Sequence, residues 1–116
     1  MSAFDEDRFE VIQSAFHEGI RAILCPIEIT EHKSIQITEE LTRKFKNIYA
    51  SGGVHPHKGK EFTAESLTII ENLAKEKVIC AVGEIGLDFH YNFSPPDQQI
   101  LAFRQQLNLA QKLDLP

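Results

Sequence analysis

Val78-Ile79-Cys80-Ala81-Val82-Gly83-Glu84-Ile85-Gly86-Leu87-Asp88 is the segment that decides how this sequence folds. Its first five residues are all apolar, which suits a strand covered on both faces, as strands of a parallel sheet are. Gly83 and Gly86 then open a turn, with Glu84 at the point where the strand leaves the sheet. A carboxylate in that position costs free energy unless it is paired or coordinates a cation. Spacing alone leaves two readings of Glu84, an oxygen ligand to a divalent ion or a hydrogen-bonded glutamate that serves rigidity. Asp88 reads first as a turn residue that accepts hydrogen bonds from nearby backbone amides.

Upstream, residues 47–51 begin another strand, which runs through Gly52-Gly53-Val54 and stops at His55-Pro56-His57. Proline stiffens that loop, and both imidazoles can face the same side; two histidines one residue apart are a weak metal signal by themselves. Earlier still, residues 20–25 read as a short buried strand stopped by Pro26. Helical spacing of Phe9, Ile12 and Phe16 predicts a helix over residues 4–18 that Gly19 ends in a left-handed conformation. Ile37, Leu41 and Phe45 predict a second helix over residues 34–45. Thr63 caps a third with Leu67, Ile70, Leu73 and Ala74 on one face. A fourth follows Pro95-Pro96 with Ile100, Phe103, Leu107 and Ala110 spaced at three or four residues, after which Leu115-Pro116 leads toward another strand.

Strand starts thus recur about every 30 residues, the size of a βαβ unit, and right-handed crossovers make the strands parallel. The fold class is α/β, with about three parallel strands alternating with four helices. All strand ends then face one rim, which carries Cys25, the 53–57 loop and the 83–88 loop. His90 and Tyr91 fall in a loop where aromatics form a pocket wall. His17 and His32 read as ordinary polar residues on or beside helices away from the rim.

With 116 residues, 42% of them hydrophobic and 25% charged, the chain has the composition of a globular domain. The formal charge of −5 gives no basic field to draw in nucleic acid, so a phosphate substrate needs metal ions or a local cationic site. Cys25 and Cys80 each lie in an apolar run and read as small buried hydrophobes in a reducing compartment. No apolar stretch approaches a membrane span, and the residues from Met1 to Asp7 are acidic where a secretory leader is basic. A cytoplasmic protein without membrane partners is expected.

Gly53-Val54-His55-Pro56-His57, then Ala81-Val82-Gly83-Glu84-Ile85-Gly86-Leu87-Asp88-Phe89, then Phe103-Arg104-Gln105-Gln106-Leu107-Asn108-Leu109-Ala110 resemble the TatD DNase family. The similarity reaches back to Phe4-Asp5-Glu6-Asp7-Arg8 and so covers nearly the whole chain; residues 83–88 are its most specific part. The resemblance implies a (β/α) TIM-type barrel with a divalent metal centre on its carboxyl rim, magnesium, manganese and zinc being undistinguished. It also implies hydrolysis of DNA, or of another phosphoester, by metal-activated water. By the same resemblance Glu84 is a metal ligand, His55 lies at the substrate pocket and His57 is close to it. Family members begin with a strand bearing a His-x-His pair and carry further ligands on later strands. Residues 1–116 are therefore expected to be the N-terminal part of such a barrel domain, lacking its first strand and its C-terminal half. One ligand holds a hard dication weakly, so little activity is expected of the chain alone. Self-association through open sheet edges is expected as well. The alternatives are a non-catalytic half-barrel interaction module and an unrelated three-stranded α/β domain whose Gly-Glu-Ile-Gly turn is structural.

Overall fold

The computed structural model describes residues 2–116. It interleaves β1 (Ile23–Glu28), β2 (Ile48–Gly53) and β3 (Ala81–Val82) with α1 (Arg8–His17), α2 (His32–Lys44), α3 (Ala64–Lys75) and α4 (Pro96–Leu113). Short 3-10 turns occupy Ser2–Phe4 and Pro56–Glu61. The strands are parallel in the order β1-β2-β3, with Cys25 opposite Ala50 and Ser51 opposite Ala81. This is the α/β alternation that the sequence predicts.

Local signals end and start the helices as their residue types dictate. Beyond α1, Gly19 has φ +108°, and the N–H groups of Gly19 and Ile20 return to the carbonyls of Phe16 and Ala15 at 3.1 Å each. That pair of bonds satisfies carbonyls the helix end would otherwise leave free. At the start of α3, Thr63 is the N-cap, and Ser66 Oγ accepts its N–H at 3.0 Å. Ile70 and Leu73 are buried along the face expected for this helix, with Leu67 and Ala74 partly covered.

The two faces of the sheet have different surroundings. Ile27, Ala50 and Val82 join Ile70, Leu73, Leu109 and Ala110 in the core beneath the helices. On the opposite face, Leu24 and Tyr49 stand side by side at 58% and 49% exposure. α1 buries none of its residues completely; Phe9 and Phe16 rest against Phe45, with ring centroids 6.2 and 6.0 Å away. The radius of gyration, 14.9 Å, exceeds the roughly 13 Å of a compact chain of this length.

Four expectations from the sequence need correction. β1 covers Ile23–Glu28 rather than residues 20–25, and it runs through Pro26. Ile23 and Ile29 donate to Asn47 and Gly53 of the β2 side, so the odd residues of β1 face β2 and the nitrogen of Pro26 faces the outer edge. A proline there removes no ladder hydrogen bond. Regular pairing in β3 is confined to Ala81–Val82, because the Val78 and Ile79 amides turn back to the Leu73 carbonyl at 2.9 and 3.4 Å and finish α3. Cys80 and Gly83 still donate to Ala50 and Gly52. On its other edge Val82 donates to the Pro116 carbonyl at 2.8 Å, so the chain after α4 returns to the sheet as its Leu115-Pro116 ending suggests.

The third correction concerns α4. Ile100 and Leu107 are exposed, while Gln99, Ala102, Gln106, Leu109 and Ala110 are buried. Hydrogen bonding, described below, decides which way this helix faces. The fourth concerns the cysteines. Both are free, Cys25 half-buried and Cys80 exposed, so only Cys25 approaches the buried hydrophobe expected, and burial raises its thiol pKa.

Candidate active site

Parallel pairing sets the carboxyl ends of all three strands on one rim, where Glu28 and Gly53 are register partners and Gly83-Glu84 follows β3. The first of these ends is Glu28, not the Cys25 that a strand stopped at Pro26 would leave there. Its Oε1 accepts the His55 N–H at 2.8 Å, and its Oε2 accepts the Thr30 N–H and hydroxyl at 3.1 and 2.9 Å. One carboxylate thereby joins the loops after β1 and β2. Gly53 is required by close approach. A Cβ there would lie 3.0 Å from Ile85 Cγ2 and 3.1 Å from the Glu84 carbonyl oxygen, so any side chain would push the Glu84 segment off β2. Pro26, Ile27, Glu28, Gly53, His55 and Glu84 consequently line one small pocket.

His57 is turned elsewhere. Its ring lies 4.4 Å from that of His55 and its backbone N–H donates to His55 Nδ1 at 3.1 Å, but its Nε2 lies 2.6 Å from Asp88 Oδ2. Asp88 Oδ1 accepts the N–H groups of His90 and Tyr91 at 3.1 and 3.2 Å, which is the turn role read from the sequence. The His57 hydrogen bond, followed by the Tyr91 amide, holds the Asp88 carboxyl below its ordinary pKa.

Two glutamines fix these loops from beneath. Gln99 and Gln106, seven residues apart on α4 and so on one helix face, are 1% and 0% exposed. Gln106 Oε1 accepts the Val54 N–H at 2.7 Å, and its Nε2 donates to the Val54 and Ala102 carbonyls at 3.3 and 3.1 Å. Gln99 treats the other loop in the same way: Oε1 accepts the Asp88 N–H at 2.8 Å and Nε2 donates to the carbonyls of Asp88 and Ser94 at 3.0 and 2.8 Å. The hydroxyl of buried Ser94 donates to the His57 carbonyl at 2.8 Å and accepts the Lys60 N–H at 3.1 Å. Irregular backbone can be buried beside a rim only if its amides find partners, and these side chains are the partners.

Sequence reasoning placed Glu84, His55 and His57 on one rim, where the structure also has them. It missed Glu28, Gln99, Gln106 and Ser94. The only available signal was the seven-residue spacing of the two glutamines among apolar helix positions. His17 is exposed at the end of α1. His32 starts α2 and lines a groove with Glu61 and Glu65, which puts it nearer the rim than expected.

Among the described residues no group of three or more His, Cys, Asp or Glu side chains converges to hold a metal ion. Both oxygens of Glu28 are engaged, as is Nδ1 of His55, which leaves Glu84 as the one free acid of the pocket. A hard dication takes about six ligands, so these residues do not make a metal centre by themselves. No helix among the described residues is long and apolar enough to cross a membrane.

The family model described as TatD related DNase matches residues 1–116. The 3'-5' ssDNA/RNA exonuclease TatD of Erwinia amylovora is 40% identical over 114 residues, which are 97% of this chain and 43% of that protein. The protein of the same name from Escherichia coli K12 is 36% identical over 115 residues, 99% of this chain and 44% of its own length. Among solved structures, the TatD homolog YJJV from Escherichia coli K12 superposes with a TM-score of 0.82 at 28% identity, covering 97% of this chain and 44% of that one. The chain therefore spans less than half the length of the proteins it matches.

Proposed function

Because the chain belongs to the TatD related DNase family, we propose that it forms part of a metal-dependent hydrolase of DNA phosphodiester bonds, acting on single strands as its relatives' names state. Residues 1–116 would be the N-terminal part of the barrel domain. One observation carries the reading: Glu84 and His55 line the same pocket on the carboxyl rim of a parallel sheet. Glu84 is assigned as the metal ligand this segment contributes, the others coming from outside the described residues. His55 is assigned to the substrate side of the pocket, and His57, whose ring is turned to Asp88, to substrate contact beside it. Glu28 and Asp88 act through them, Glu28 by holding the His55 backbone and Asp88 by orienting the His57 ring. The metal is divalent, and nothing in the donor set selects among magnesium, manganese and zinc. Two free thiols support a reducing, cytoplasmic location.

A chimera tests this reading. Residues 1–116 replace the matching segment of the Erwinia amylovora relative, and cleavage of single-stranded DNA is followed with magnesium or manganese. Chelator-sensitive cleavage is expected, reduced at least roughly a hundredfold by Glu84→Gln, since even outer-shell changes at metal sites cost 10- to 100-fold. An unimpaired Glu84→Gln chimera would remove the assignment. The chain by itself is expected to show no substantial cleavage.

A further inference from the structure

Two large aromatic side chains beside this pocket face water. Tyr91 and Phe93 are 63% and 57% exposed, and their rings lie parallel within 6° with centroids 5.6 Å apart. His57 meets both edge-on, with centroids 6.0 Å from Tyr91 and 4.8 Å from Phe93. The loop that presents them is anchored on each side, by the Tyr91 N–H on Asp88 Oδ1 and by fully buried Ser94. Between the rings Asn92 has φ 57°, a left-handed geometry that asparagine tolerates. The two rings are therefore held open in a fixed arrangement rather than left on a loose loop.

The geometry points to Tyr91 and Phe93 as a stacking platform for the bases of a single-stranded nucleic acid, next to the His55–Glu84 pocket. A chain of formal charge −5 gains little from phosphate attraction, so its affinity has to come from uncharged contacts. Base stacking on aromatic rings is such a contact, and it tolerates any sequence because every base has a π face. Bases of a single strand offer those faces, whereas bases in a duplex already cover one another. The platform is also placed to deliver substrate, since it touches His57 and His57 touches His55. The turn that follows His57 is tied to the platform loop as well, since the Lys60 amide donates to Ser94 Oγ at 3.1 Å, while the charge of Lys58 on that turn is paired with Glu61 at 3.4 Å. The choice of nucleic acid as occupant rests on the phosphodiesterase reading above.

The experiment uses the full chain and a fluorescein-labelled oligothymidylate, with anisotropy read in low salt without metal. Tyr91→Ala and Phe93→Ala are expected to weaken binding about tenfold or more each. Tyr91→Phe, which keeps the π face, is expected to retain it. The chain has two tyrosines and no tryptophan, so in a Tyr49→Phe background the tyrosine ring resonances report Tyr91 alone, and they are expected to shift on adding the strand. Equal binding of an abasic strand or a duplex, or unaltered affinity in both alanine variants, overturns the platform. So does absence of binding combined with self-association that depends on the two rings, which would make them an interface between copies. The two proposals fail separately. Shifting Tyr91 signals with an inactive chimera retain the platform and remove the phosphodiesterase, while an active, Glu84-dependent chimera that ignores Tyr91 and Phe93 does the reverse.

Discussion

At the carboxyl edge of the sheet the backbone amides of Val54, His55, His57, Asp88, His90 and Tyr91 all donate to side chains. On the opposite face the same strands leave Leu24 and Tyr49 58% and 49% exposed. The rim holds its loops from within the chain, while this bare face leaves two large apolar side chains about half open to water. Geometry at the site thus depends on buried polar groups that each have a partner, and the self-association expected from the sequence would have to draw on exposed apolar groups such as these.

The largest expected effect lies at the rim. Gln106→Leu keeps the volume but leaves the Val54 N–H and carbonyl unpaired in a buried setting, at about 1–3 kcal/mol per group. A stability loss of about 2–5 kcal/mol is expected in denaturant unfolding. A change under about 0.5 kcal/mol would show that the loop finds other partners and that the rim is less rigid than described. The bare face comes next. Leu24→Lys with Tyr49→Lys is expected to weaken self-association at least about tenfold in light scattering, roughly 1.4 kcal/mol, with little change in the stability of the chain. If the wild-type chain is a monodisperse monomer to begin with, the contrast between finished and unfinished surfaces loses its consequence. The smallest effect is the pH dependence at Asp88. Its folded pKa is lowered, so the stabilisation it gives is complete above the unfolded value near 3.9 and is lost as pH falls through the lower folded value. Asp88→Asn should remove that component from the acid limb of the stability profile. An acid limb identical to wild type would mean that the His57 hydrogen bond does not favour the charged carboxylate.

Much of this was legible beforehand. A run of apolar residues ending in Gly83-Glu84 and a stiff histidine loop after Gly53 are both strand-end patterns, and strand ends in parallel sheets share a rim. Glu28 was hidden by Pro26, since a proline reads as a stop unless one knows which edge its nitrogen faces, and that depends on the register with β2. Gln99 and Gln106 were hidden because glutamine on a helix reads as surface. They turn inward on account of loop amides supplied by residues 54 and 88, far away in sequence, which no local pattern records. Ile100 and Leu107 were misplaced for the same reason, because an apolar stripe counts only hydrophobicity and the buried face of α4 was set by hydrogen bonds.

Pro26 has one more consequence, for the direction in which the sheet can grow. Three residues of β1 aim their nitrogens at its outer edge: Leu24, Pro26, which has no hydrogen to give, and Glu28, whose N–H is already donated to Ser34 Oγ at 3.2 Å. An incoming strand would find a single free donor there, at Leu24, whereas the far side of β3 already accepts a backbone partner, Pro116, through Val82. A strand laid along β1, as the first strand of a closed barrel would be, therefore pairs there through the carbonyls of Leu24, Pro26 and Glu28 and the one N–H of Leu24, so the two edges of the sheet are unequal templates.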